Sequence, residues 1–320
     1  MKELKLVFMG TPEFALPSLE LLYLSPHNLA LLVVPPDKPS GRGRKVRFAP
    51  TKNWALEKNI SLVQPQKISD QDFLSGMENE APDLIITAAY GKILPPPLLK
   101  LPRLGCINLH ASYLPFYRGS APIHRAVIDG ADYSGVSVIK MVSELDAGDI
   151  LMQEKEDILP FDTAGTLHDR LAGRGASLLL RTVNALASGA VKAFPQDHER
   201  ASYAPPLTPE DEQLDWSQGA EEIYNRIRGL NPWPGAYTCL NGKRIKVWQA
   251  ARPKDDELNP DIAPGTILTV GENSLTVATG SVPLTILNLQ PSGKKAMDAG
   301  SFCCGYRVEA GQVLAGEPEN

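Results

Sequence analysis

The chain changes its hydrophobic periodicity near residue 190, and that change dictates two parts of different class. Before it, short wholly apolar runs alternate with stretches of helical spacing. The run at 4–9 ends at Gly10 and that at 29–34 at Pro35 and Pro36, and 84–88 and 106–109 are further short apolar runs. Runs without polar alternation belong to strands buried on both faces, which implies a parallel sheet covered by helices. The intervening segments 12–23, 51–58 and 70–80 supply those helices, the first carrying Phe14, Leu19, Leu21 and Leu22. Two further strands are expected at 134–141 and 150–158, joined by 142–149. A long helix follows at 163–188, stopped by Gly189, a residue suited to a left-handed cap.

Beyond it, 193–209 is irregular and carries Pro195, Pro205, Pro206 and Pro209, as a linker would. A short helix at 220–230 places Ile223, Ile227 and Leu230 on one face, with Ser217 available as its cap. The remainder reads as short strands at 236–240, 244–250, 265–270, 274–279 and 282–289. Asn241-Gly242 between the first two is a hairpin signal, and the set predicts a small antiparallel barrel. The expected domains are 1–190, catalytic; 191–208, linker; and 209–320, barrel.

Composition narrows the functional classes. The net charge of −5 excludes a surface coated in basic residues, although a local basic patch remains compatible with it. Cys106, Cys239, Cys303 and Cys304 form no CxxC pair, so neither a zinc site nor a disulfide framework is expected. Residues 1–10 read as a first strand and not as a signal peptide. No apolar stretch reaches the roughly 18–20 residues of a membrane span, so a cytoplasmic protein without a membrane partner is expected.

The segment Asn108-Leu109-His110-Ala111-Ser112-Tyr113-Leu114-Pro115 is the densest in chemistry. Leaving a strand, Asn108 and His110 point to the same face, so an amide and an imidazole aim at one point and could stabilise an oxyanion. The plain alternative is two polar residues satisfied by backbone at a strand end. In Glu144-Leu145-Asp146-Ala147-Gly148-Asp149 a loop carboxylate is available, and spacing leaves both Asp146 and Asp149 open, as actor or as turn residue. Gly41-Arg42-Gly43-Arg44-Lys45-Val46-Arg47 is a basic loop suited to phosphate, or a solvated charged loop. Tyr90-Gly91-Lys92-Ile93-Leu94-Pro95 is a plain turn or a ligand wall at the carboxyl edge of the sheet. Gly-x-Gly-x-x-Gly is absent, which disfavours a dehydrogenase. His27, His124, His168 and His198 lack metal-ligand spacing and read as structural or surface residues.

Gly10-Thr11-Pro12-Glu13-Phe14-Ala15, the loop from Pro39 to Lys45, Tyr90 to Pro95, the stretch from Asn108 to Ile123, Leu145 to Asp149 and Asn231-Pro232-Trp233-Pro234-Gly235-Ala236 together resemble the folate-dependent formyltransferases over nearly the whole chain. The resemblance implies a Rossmann-like α/β domain with a parallel-rich sheet plus an OB-like β-barrel. It implies Asn108, His110 and Asp146 as catalytic residues, and 10-formyltetrahydrofolate as the donor held near Tyr90, Gly91, Ile93, Leu94, Ser112, Leu114 and Pro115. The implied acceptor is the α-amino group of charged initiator methionyl-tRNA, gripped by Arg42, Arg44, Lys45 and Arg47. A monomer without a metal is expected. Tyr113, Phe116 and Glu144 depart from the usual family pattern. The rival readings are a sister formyltransferase or hydrolase acting on a small amine or on formyl-folate, and a nucleic-acid-binding protein on an idle scaffold.

Overall fold

The computed structural model describes residues 2–37, 39–40, 45–46, 48–254 and 261–315. The chain divides into two compact units. One comprises residues 1–122, 133–157 and 168–205; the other comprises 123–132, 158–167 and 206–320.

The first unit is built on a seven-stranded sheet. Its strands are β1 (Lys5–Gly10), β2 (Asn28–Val33), β3 (Leu62–Val63), β4 (Leu84–Ala88), β5 (Cys106–His110), β6 (Tyr133–Lys140) and β7 (Ile150–Asp157), ordered β7-β6-β5-β4-β1-β2-β3. The ladders among β1 to β5 are parallel, whereas β6 runs antiparallel to both β5 and β7. The central strands are buried on both faces, as their unbroken apolar runs require: Leu6, Phe8, Ile86 and Ile107 are all sealed from solvent. Each such side chain stabilises the fold by roughly 1.5–3 kcal/mol through burial. The β7 edge reads Gln153, Glu154, Lys155, Glu156, Asp157 and is only half covered.

The helices are α1 (Leu16–Tyr23), α2 (Pro50–Lys58), α3 (Gln71–Glu80) and α4 (Ala164–Ser188). The expected helix at 12–23 is split, opening with a 3₁₀ turn at Glu13–Ala15. The α4 backbone lies against Leu109, whose side chain is 3.0 Å from where a Cβ on Gly175 would stand. That contact pins β5 on one sheet face and leaves Asn108 and His110 to the other. Among the described residues, no helix is long and apolar enough to cross a membrane.

The second unit carries the expected antiparallel sheet. Its strands are β8 (Ala236–Leu240), β9 (Lys243–Ala250), β10 (Ile267–Val270), β11 (Leu275–Val277) and β12 (Leu284–Pro291), ordered β8-β9-β12-β11-β10. Asn241 and Gly242, at φ 50° and 70°, turn β8 into β9 with Leu240 opposite Lys243. The two sheet edges are joined by the C-terminal segment: Cys239 bridges Ala315 on one side and Thr266 bridges Val313 on the other. Ile223, Ile227, Val247, Leu284 and Phe302 fill the core. The helix at Ala220–Gly229 begins after Gly219; Ser217 does not cap it and instead donates to Asp215. A further helix, Ala299–Tyr306, closes the barrel region where strand and turn were expected.

Candidate active site

β5 leaves the sheet at His110, and three polar side chains converge there. Thr87 on β4 lies opposite Asn108, and its hydroxyl makes its shortest contact, 2.7 Å, to Asn108 Oδ1. Oδ1 is therefore the acceptor, which turns Nδ2 outward to donate to Asp146 Oδ1 at 3.3 Å. One Nδ2 hydrogen remains for other use.

His110 is only 5% exposed. Its Nε2 lies 2.9 Å from the Tyr117 carbonyl oxygen. A carbonyl only accepts, so Nε2 carries a hydrogen and Nδ1 is the nitrogen available for chemistry. Nδ1 faces Asp146 Oδ2 at 3.6 Å. The same Oδ2 accepts from the Gly119 backbone N–H at 2.9 Å. Both oxygens of Asp146 are thus engaged at the point where Asn108 and His110 meet.

The loop carrying Asp146 is unusual. Asp146 itself sits in the left-handed region at φ 49°, and Tyr117, which receives His110, does so at φ 58°. Aspartate tolerates this conformation better than most residues, but it is held there against preference. Two residues on, Gly148 packs so closely on β6 that an added methyl would overlap the Lys140 carbonyl oxygen. Asp149 is exposed and engages β6 through its backbone oxygen, which accepts from the Lys140 N–H. The geometry therefore favours Asp146 over Asp149.

A shallow cleft opens beside these groups, lined by Asn108, Ile139, Lys140, Met141, Val142, Glu144, Asp146, Ala147 and Gly148. Tyr90, Gly91, Ile93, Leu94, Ser112, Leu114 and Pro115 are not among these lining residues. Leu94 and Leu114 are buried in apolar clusters, and Ser112 is fully buried, donating to the Phe116 carbonyl. Tyr90 is buried too, and burial pushes its hydroxyl up to about 12, so it stays neutral. Gly91 and Ile93 are exposed and Pro115 half-buried. Arg42, Arg44 and Arg47 lie outside the described residues, and of Lys45 only the backbone is described, in a two-residue ladder with Pro39–Ser40.

The three departures from the family pattern have local partners. Tyr113 packs edge-on to Tyr133, Phe116 receives the Arg200 guanidinium 5.3 Å from its ring, and Glu144 joins the cleft wall. Of the residues that orient the central three, Tyr117 and Gly119 fall within the stretch from Asn108 to Ile123 that carries the family resemblance, whereas Thr87 has no motif signal and only the register of β4 against β5 brings it in.

Residues 4–183 match the formyl transferase family, and residues 206–307 match the formyl transferase C-terminal domain. A methionyl-tRNA formyltransferase of Moorella thermoacetica is 45% identical over 311 residues, covering 97% of this chain and 99% of that one. One from Bacillus subtilis is 44% identical over 314 residues, covering 97% of each chain. Among solved structures, WlaRD, a sugar 3N-formyl transferase crystallised in the presence of dTDP and 5-N-formyl-THF, superposes with a TM-score of 0.65 at 17% identity, over 92% of this chain and all of that one. HypX from Aquifex aeolicus in complex with tetrahydrofolic acid superposes with a TM-score of 0.62 at 15% identity, over 97% of this chain but 48% of that one. Likeness at these identities speaks to the fold.

Proposed function

The chain belongs to the formyl transferase family, and from that premise we propose that it transfers the formyl group of 10-formyltetrahydrofolate to the α-amino group of methionyl initiator tRNA. The observation that carries the reading is the convergence of Asn108, His110 and Asp146 at the carboxyl end of β5, in a chain 45% identical end to end to a methionyl-tRNA formyltransferase.

The free α-amino group has a pKa of about 7.7–8.0, so its neutral form is plentiful near neutral pH. Its lone pair attacks the formyl carbon, a new C–N bond forms and the formyl oxygen takes up negative charge. Asn108 donates its remaining Nδ2 hydrogen to that oxygen. His110 presents Nδ1 to the same charge, since Tyr117 occupies Nε2. Losing one such donor lowers the rate roughly 10²–10³-fold. Asp146 orients His110, or relays through water the proton that the amine sheds. The bond from the formyl carbon to N10 then breaks and N10 takes up a proton. In this reading the folate head lies beside Asp146, where Asn108, Ile139, Met141 and Val142 line a shallow cleft. In this reading chemistry belongs to residues 1–190 and the barrel of 209–320 extends the contact with tRNA.

The test is transfer of labelled formyl from 10-formyltetrahydrofolate to charged initiator and charged elongator tRNA in parallel. Transfer to the initiator alone is expected. Folate turnover without tRNA formylation would move the protein to a sister reaction on a small amine or on formyl-folate.

The basic segment yields a separate prediction. Neutralising Arg42, Arg44, Lys45 and Arg47 together should raise KM for tRNA and flatten its salt dependence, by roughly 0.7–0.9 in log–log slope for each phosphate no longer neutralised. An unchanged slope would remove this segment from the tRNA interface.

A further inference from the structure

We propose that Gln196 is a positioning residue for Asp146, holding the reactive loop in its left-handed conformation from a segment that neither family match covers. The matches end at residue 183 and resume at 206. Resting on the function proposed above, the inference adds a residue to its machinery.

Gln196 is 5% exposed although it lies in the proline-bearing linker. Its Nε2 donates to two backbone carbonyls of the reactive loop, Asp146 O and Gly148 O, each at 2.7 Å. Both carbonyls lie on the C-terminal side of the left-handed residue, so one amide group anchors the chain where it leaves the strained turn. The amide is itself fixed. Its Oε1 accepts from Arg118 Nε at 3.1 Å and from Arg118 Nη2 at 2.7 Å, and Arg118 is buried at 3% exposure. An arginine only donates, so Oε1 cannot exchange places with Nε2, and both Nε2 hydrogens are committed to the loop. Arg118 precedes Gly119, whose N–H holds Asp146 Oδ2. The carboxylate is therefore gripped at its side chain by Gly119 and at its backbone by Gln196, and Arg118 couples the two grips. Released from Gln196, Asp146 relaxes toward an ordinary backbone conformation and its carboxylate leaves Asn108 and His110.

Two substitutions separate positioning from simple support of Arg118. Gln196→Leu removes the donors and the acceptor together. Gln196→Glu keeps an acceptor, and a charge, for Arg118, but sets an oxygen against the two loop carbonyls. Positioning predicts that both lower kcat for formyl transfer by roughly 10–100-fold, the scale of a small misplacement of a reacting group, while KM for tRNA stays near wild type. It also predicts a readout that needs no activity. The Gly119 N–H, bonded to Asp146, should exchange with solvent roughly tenfold faster in both variants. The Arg118 and Ser120 N–H groups, bonded to Ser202 O and Ala204 O, should keep their protection. Gln196→Glu with wild-type kcat and wild-type Gly119 exchange would overturn the proposal, leaving Gln196 as a partner of Arg118 alone. Equal deprotection of Gly119, Arg118 and Ser120 would also overturn it, since the residue would then hold the segment as a whole. If the wild-type protein fails to formylate tRNA while the two variants show the selective Gly119 effect, the proposed acceptor is rejected and the positioning is kept.

Discussion

An Asp146→Asn protein should fold normally yet transfer formyl roughly 10³-fold more slowly or worse, the scale seen when a carboxylate that orients a catalytic imidazole is neutralised. The substitution preserves shape and removes one charge. An amide oxygen can still accept from the Gly119 N–H or from Asn108 Nδ2, but not from both sides as the carboxylate does. It also leaves His110 Nδ1, 3.6 Å away, without its anionic partner. Single-turnover formylation with saturating charged tRNA isolates this step from substrate binding. A rate within about tenfold of wild type, or barely 1.4 kcal/mol of barrier, would remove Asp146 from the chemistry.

The second large effect is expected at Gly148. Alanine there would drive a methyl into the Lys140 carbonyl oxygen on β6, a backbone atom held in the β6–β7 region of the sheet. Overpacking of this kind destabilises by about 1–3 kcal/mol. The loop can reduce that only by lifting away from β6, which carries Asp146 with it. Gly148→Ala should therefore lower both the urea midpoint and kcat, whereas Asp146→Asn lowers kcat alone. A variant with unchanged midpoint and unchanged rate would show that the loop does not need this close approach.

The central strands and the Asn108–His110 pair were legible because strand periodicity is local: two residues apart means the same face, and wholly apolar runs mean burial on both. The long helix ending at Gly189 and the Asn241-Gly242 hairpin were legible for the same reason, each marked by residues whose backbone preferences are distinctive. What escaped local reading depends on partners distant in the chain. Ala299–Tyr306 holds Gly300, Gly305 and two cysteines, poor helix formers, and owes its form to the buried Phe302 and to Asp298, which accepts from the Ser301 N–H. Leu62–Val63 is too short to show a period and exists through its pairing with β2. Spacing could not choose between Asp146 and Asp149, since the choice is made by the turn at φ 49° and by Gly119. Gln196 had no signal at all: it stands among prolines and acidic residues in an aperiodic stretch, and its importance arises from where the chain returns.

That return has a temporal side. Asp146 and Gln196 are 50 residues apart, and Tyr117 N–H is capped by Ser202 from 85 residues away. A chain growing from its amino end therefore exposes Asn108, His110 and Asp146 well before it makes the segment that holds them in register. Bringing such distant segments together is entropically costly and comes late in ordering. The central sheet can therefore be complete in sequence before residues 196–204, which bond Asp146 and Tyr117, have been made. A nascent fragment ending near residue 190 would carry Asn108, His110 and Asp146 without the side chains that bond the Asp146 carbonyl and the Tyr117 N–H.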